Sequence, residues 1–365
     1  MTTPGDTRSS TPAGAGDRPG DTARVGRRAP GWLRLPRQTL LRHLLAAVVV
    51  GAAVFWLSDN VGAFTDLQLS SVAAYTIAIA GLTVLTGHNG QLSLGHGAFI
   101  AIGAYTTALI LEHTSLPIIV VLLAATGVTA VAGAIVGVAA ARLRGPYLAG
   151  ATLALAVALP SVAVKWSSIF GGEQGITVNP LAPPSSLGVN FPPERWVAWL
   201  SLLTALIVLV LLANLLRSRV GRSFRAVRDD EIAASLAGVH VARTQVLAFV
   251  VSAACAGLAG AFFAFNIQLV APSGFTLALS IALVSGMVVG GIGSLVGAVW
   301  GGILLVYLSQ EATDLAKHFH FSPTTGANSA LLAYGVLLVA VMLVFPDGIQ
   351  GGIRRLGRFL TRLQR

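Results

Sequence analysis

Residues 244–310 read TQVLAFVVSAACAGLAGAFFAFNIQLVAPSGFTLALSIALVSGMVVGGIGSLVGAVWGGILLVYLSQ, 67 residues without a single Asp, Glu, Lys or Arg. A helix needs about 20 apolar residues to cross the hydrocarbon core of a bilayer. The stretch therefore fits three crossings. Two breaks divide it, the polar 266–274 (NIQLVAPSG) and the glycine-rich 290–294 (GGIGS). No soluble domain has a use for so long an uncharged run.

Working outward, the whole chain agrees. It has 365 residues, of which 55% are apolar and 10% charged, and its mean hydropathy is +0.78. A soluble fold of this size needs a polar shell, and these charges are too few to make one. The same numbers exclude a disordered chain. The strict apolar–polar alternation of an outer-membrane barrel is missing. Further spans are predicted at 40–57, 67–86, 95–111, 116–141, 147–164, 196–215 and 329–345, which makes about ten. The fold class is thus all-α, a polytopic helical bundle in an inner membrane.

Charge orients the bundle. With ten crossings both termini share a side, and that side holds 21 of the 24 basic residues. They lie before residue 44, at Arg142 and Arg144, in the loop 217–243 and after residue 346. Lys165, Arg195 and Lys317 fall on the other side. Cytoplasmic loops carry the excess of Lys and Arg, so both termini are expected in the cytoplasm. The net charge of +10 then faces anionic headgroups of the membrane lipid and calls for no nucleic acid. Residues 1–37, rich in Pro, Gly, Ser and Thr, read as a disordered basic tail. Residues 38–348 form the membrane domain, and 349–365 a second basic tail.

Catalytic and cofactor chemistry finds little support. Cys255 is the one cysteine, so no disulfide can form within the chain. The two lysines follow Val164 and Ala316, which excludes the Gly-Lys-Ser/Thr of a P-loop. If ATP drives this protein, another subunit binds it. His88 and His96 lie eight residues apart with no third ligand, so no metal site is expected.

Four segments are unusual for membrane helices. Residues 87–97 (GHNGQLSLGHG) combine four glycines with Asn, Gln, Ser and two His. Irregular backbone is tolerated at depth only where it lines a cavity or is buried in protein. Gly90, Gln91, Ser93, Gly95 and His96, with Tyr105 further on, are therefore candidates for a translocation path or gate. The alternative is a solvated cytoplasmic turn. Residues 171–175 (GGEQG) place Gly172 and Glu173 in the longest outer loop, either a docking or gating loop or a plain turn. Residues 290–294 read as a tight connection between spans. The loop 217–243 reads RSRVGRSFRAVRDDEIAASLAGVHVAR. In it Asp229 is a candidate cap, Asp230 and Glu231 fall in a first turn, and Gly238 stands where a helix ends. Arg228 precedes them, and Ala233, Ala234 and Ala237 form a small-residue face that a soluble motor could grip.

The pattern Ala233-Ala234-x-x-x-Gly238 beside an acid resembles the EAA-type loop of ABC-importer permeases. The strings at 87–110, 144–155, 171–176, 220–249, 256–265, 290–302 and 334–348 together resemble the LivM-type permeases of branched-chain amino acid ABC transporters. The likeness covers about residues 40–350. It implies a non-catalytic transport subunit without cofactors, in the plasma membrane of a prokaryote. It also implies a LivH-type partner permease, two cytoplasmic ABC ATPases and an external solute-binding protein. Arg228, Asp229, Asp230, Glu231, Ala233, Ala234 and Gly238 would then couple to the ATPase. Val157, Pro160 and the pair Thr244-Gln245 depart from the family's usual acidic and basic positions. A urea or short-amide permease of the same family stays open for that reason. A stand-alone channel or an ion-coupled carrier is the reading from a different class.

Overall fold

The structure is a computed structural model that describes residues 62–143, 146–188 and 191–318, with Gly51 and positions 335, 336, 339, 343, 348–353 and 355. The tail 1–37, nearly all of the span at 40–57 and most of 329–345 and 349–365 lie outside the described residues. The described helices are α1 (Ala63–Leu82), α2 (His96–His113), α3 (Ile118–Ala140), α4 (Pro146–Lys165) and α5 (Ser167–Phe170). They continue as α6 (Pro193–Arg217), α7 (Arg219–Asp229), α8 (Glu231–Leu236), α9 (Val241–Ile267), α10 (Leu277–Gly290) and α11 (Leu295–His318). One short strand pair interrupts them: β1 (Ile176–Thr177) lies antiparallel to β2 (Leu269–Val270), with Ile176 opposite Val270.

Among the described residues, six segments are long and apolar enough to cross a membrane: Ala63–His88, Ile118–Ala140, Tyr147–Lys165, Pro193–Arg217, Val241–Ile267 and Pro272–Gly290. The protein is a polytopic all-α membrane protein. The predicted span at 95–111 forms a helix, α2, yet it is not among the six. His96, Glu112 and His113 at its ends and Tyr105, Thr106 and Thr107 in its middle lower its hydropathy. Its walls are protein rather than lipid: His96, Phe99, Ile100 and Ala104 are buried. The uncharged run 244–310 splits at the two expected breaks into α9, α10 and the first part of α11.

The bundle has a centre and a rim. The window within α9 is 67% buried and that of Ala63–His88 is 78% buried, whereas Ile118–Ala140 is 22% buried. α9 packs against α1, α2 and α3, and α1 also packs on α6 and α11. The outer side of α3 exposes Ile119, Leu123, Val131 and Ile135. Such a face suits acyl chains or another membrane subunit, not water.

Between helices in lipid, apolar burial drives little, and close backbone approach does more. The alanine-rich run in α9 supplies that approach. A Cβ on Gly257 would sit 2.6 Å from the Cβ of Thr129 on α3. One on Gly260 would sit 2.8 Å from the amide nitrogen of Ala104 on α2. Small residues thus bring α9 close to both α2 and α3.

α1 begins four residues earlier than its predicted span, which draws Asp66 into the helix. Asp66 is 1% exposed, and its Oδ2 lies 3.5 Å from Nε of Arg195 at the start of α6. The buried charge is thus paired, as a carboxylate at that depth must be.

Candidate functional site

α1 does not end cleanly. Its last turn widens into a π-helical turn, Thr83–His88, and the chain then runs irregularly to α2. The amide of Asn89 bonds back to Val84 O at 3.2 Å and that of Gln91 to Leu85 O at 3.2 Å. The Thr86 hydroxyl closes the turn by donating to Gln91 O at 2.9 Å. Gly90 has φ +78°, a conformation glycine takes without strain. Side chains of other helices hold the far half of the segment. Leu94 N donates to Thr152 Oγ1 of α4, and Gly97 N to Ser280 Oγ of α10, both at 3.0 Å.

The segment is not a solvated turn. His88, Asn89, Gln91, Ser93 and His96 are all buried. His96 Nε2 lies 3.0 Å from Ala78 O. A carbonyl only accepts, so Nε2 carries the proton and Nδ1 is left as an acceptor. Nine buried side-chain atoms among the described residues have no hydrogen-bond partner, and six of them belong to residues 83–96. They are Thr83 Oγ1, both amide atoms of Asn89, Gln91 Oε1, Ser93 Oγ and His96 Nδ1. Each such atom normally finds a partner, since leaving one bare costs about 1–3 kcal/mol. Thr83 and Asn89 are not among the predicted path residues, although Asn89 lies inside the string 87–97.

Tyr105, Gly172 and Glu173 lie away from this cluster. Tyr105 is nine residues along α2 from His96, or about 14 Å at the helical rise. Its ring meets Phe170 edge-on at 5.2 Å and tilts against Phe275 at 6.2 Å. It lines a cavity of ≈ 280 Å³ with Ile102, Leu159 and Phe170. Gly172 is buried with φ +63°, while Glu173 is exposed at the loop tip. The β1–β2 pair ties this loop to the α9–α10 turn.

The loop 217–243 folds into two helices, not the single one expected. The missed helix, α7, is capped by Ser218, whose side chain accepts from Val220 N. It buries Gly221, Phe224 and Val227, a three-to-four-residue spacing that was legible in the string. The cap of α8 is shifted by one residue from the expectation. Asp229 ends α7, and Asp230 caps α8, its Oδ1 accepting from Ile232 N at 2.8 Å and Ala233 N at 3.0 Å. Gly238, at φ +83°, closes α8 as anticipated: Val239 N bonds Ala234 O and Gly238 N bonds Ser235 O, both at 3.0 Å. Glu231 Oε1 accepts from Gln245 Nε2 at 2.9 Å and fastens α8 to α9.

The small-residue face divides. Ala234 is 4% exposed and packs inward, whereas Ala233 and Ala237 face out. The outward side of α8 is instead dominated by Ile232, 72% exposed, and Leu236, 85% exposed. Arg228 turns toward the irregular segment, its Nη1 donating to Gly87 O at 2.8 Å. The cluster at 83–97 and the helix pair α7–α8 thus share one end of the bundle, and Tyr105 and Gly172 lie toward the other.

A helical membrane bundle with a buried polar break and a paired helix at one end has the makings of a permease, and comparisons place it among known ones. Residues 64–345 match the family described as "Branched-chain amino acid transport system / permease component". The chain belongs to that family. It is 33% identical over 296 residues to the high-affinity branched-chain amino acid transport system permease protein LivM of Salmonella typhimurium, covering 75% of this chain and 67% of that protein. The LivM protein of Escherichia coli matches to the same extent. LivH of Salmonella typhimurium is 26% identical over 313 residues, covering 79% of this chain and 94% of LivH. No solved structure matches.

Proposed function

We propose that this transmembrane permease is one membrane subunit of an ATP-driven importer for branched-chain amino acids in a prokaryotic plasma membrane. It works beside a LivH-type permease, two cytoplasmic ABC ATPases and an external solute-binding protein. Ten helices cross the membrane and both termini are cytoplasmic. The chain does no catalysis and needs no cofactor; the ATPases hydrolyse ATP.

The observation that carries the reading is α8. It is a short helix, capped at both ends and braced to α9 by Glu231 and Gln245, and it presents Ile232 and Leu236 outward. Ile232 and Leu236 lie one helical turn apart and form an exposed apolar pair on a loop otherwise rich in charge, a surface that suits a protein partner. A cytoplasmic ATPase is the partner that supplies the work. Closing of the ATPases moves α7 and α8, and the cavity changes side. Residues Gly90, Gln91, Ser93, Gly95 and His96 shape the path at the inner end, and Tyr105, Gly172 and Glu173 at the outer end. The unpartnered amides and hydroxyls at 83–96 suit a small polar solute or its water, which could satisfy them in passage. A shift between transporter states requires that nucleotide bind the two with different affinity.

The test is purification of the chain with its genomic neighbours. The ATPase should co-purify, and labelled leucine, isoleucine or valine should enter vesicles when loaded binding protein and ATP are supplied. Uptake of urea or a short amide in place of these would redirect the substrate while keeping the mechanism.

A further inference from the structure

Sequence position grouped Arg228 with the motor contacts, but its side chain does something else. Arg228 lies near the end of α7, two residues before the Asp230 cap of α8, so it moves with both. Its guanidinium is divided. Nε and Nη2 hold Asp229 Oδ1 at 3.0 and 2.9 Å, and Nη1 holds Gly87 O at 2.8 Å. Gly87 belongs to the π-helical turn, where the amide of Gln91, four residues on, bonds Leu85 O instead. The arginine therefore takes a carbonyl that the helix leaves over.

Two glycines make the grip close. At Gly90 a Cβ would lie 2.9 Å from Arg228 Cγ and 3.4 Å from its Cα. At Gly87 a Cβ would lie 2.7 Å from the nitrogen of Gly293, in the turn between α10 and α11. The irregular segment is thus wedged between the arginine arm on one side and the GGIGS turn on the other. No slack separates α7 from the first turn of the buried polar cluster.

We propose that Arg228 is a positioning residue that transmits movement of α7–α8 to residues 83–97. This rests on the reading of α8 as the motor contact. A planar fork reaches Asp229 and Gly87 with separate nitrogens held in fixed geometry, whereas all three N–H donors of a lysine sit on one nitrogen. Movement of α8 then pulls the Gly87 carbonyl and shifts Leu94 and Gly97 against Thr152 and Ser280.

Hydrogen exchange on the assembled transporter in lipid nanodiscs tests the proposal, with and without a non-hydrolysable ATP analogue. In the native complex the analogue should change amide protection at 231–240 and at 87–97 together. Arg228→Lys should keep the response at 231–240 and lose it at 87–97, with a loss of uptake. Gly90→Ala, which pushes the arm aside from the other direction, should act alike. A native complex that responds at 231–240 but not at 87–97 overturns the relay and leaves the motor contact standing. So does an Arg228→Lys complex with a lower Tm but both responses intact, since that is a brace and nothing more. Silence at both segments removes the motor contact and the relay together.

Discussion

Asp230 alone satisfies two amides at the start of α8, those of Ile232 and Ala233. Asp230→Ala should therefore cost about 1 kcal/mol of local stability, seen as faster exchange at 231–236. Gly238→Val forces a β-branched residue to φ +83° and should loosen the other end by roughly 1 kcal/mol or more. Inward and outward positions on this helix should part company. Ile232→Asp should abolish ATPase co-purification with the fold intact, whereas Ala234→Trp should disturb the packing of α8 itself. Much of this was legible, because Asp, Glu and Gly at fixed offsets carry their own backbone chemistry. The cap still slipped by one residue: Asp229 and Asp230 are adjacent and chemically alike, and only the end of α7 decides between them. The inward turn of Ala234 depends on what α7 packs against, which no local string encodes. In the buried break, Gly95→Leu should stop uptake, since a Cβ there would already sit 2.6 Å from Thr152 O.

At the scale of elements, the long apolar runs were the easy part. The breaks at 266–274 and 290–294 fall between α9, α10 and α11 as their glycines and polar residues foretold. α2 was harder, since its polar ends and middle keep its hydropathy below that of the six clear spans, while buried walls rather than lipid surround much of it. α7 is hard to read because its four arginines mask the spacing of the buried Phe224 and Val227. Cysteine labelling checks the threading. Gly274→Cys should react from outside and Ile292→Cys only from the cytoplasm. Ser294, the more obvious position in that turn, is buried and would react poorly. External reaction at 292 would reverse the orientation that the basic residues give.

Across the whole molecule, α9 is the axis against which α1, α2 and α3 pack. Its glycines set the spacing. Gly257→Leu should drive α3 and α9 apart and cost about 1–3 kcal/mol through overpacking, read as lost expression or a lower Tm in detergent. The composition foretold a helical membrane bundle, but not which helix stands at its centre, since burial against protein and against lipid select the same apolar letters. The apolar rim of α3 fits either acyl chains or the partner permease. The arrangement as a whole places a polar, underbonded break at the end of the bundle that carries the exposed α8, and the proposed coupling to an ATPase rests on that nearness.

Uptake of labelled branched-chain amino acid into proteoliposomes holding the complete transporter, with loaded binding protein outside and ATP inside, tests that claim most directly. Uptake that requires internal ATP, and that Ile232→Asp abolishes, is the predicted result. Uptake at an undiminished rate without ATP would contradict it and return the protein to the channels or ion-coupled carriers.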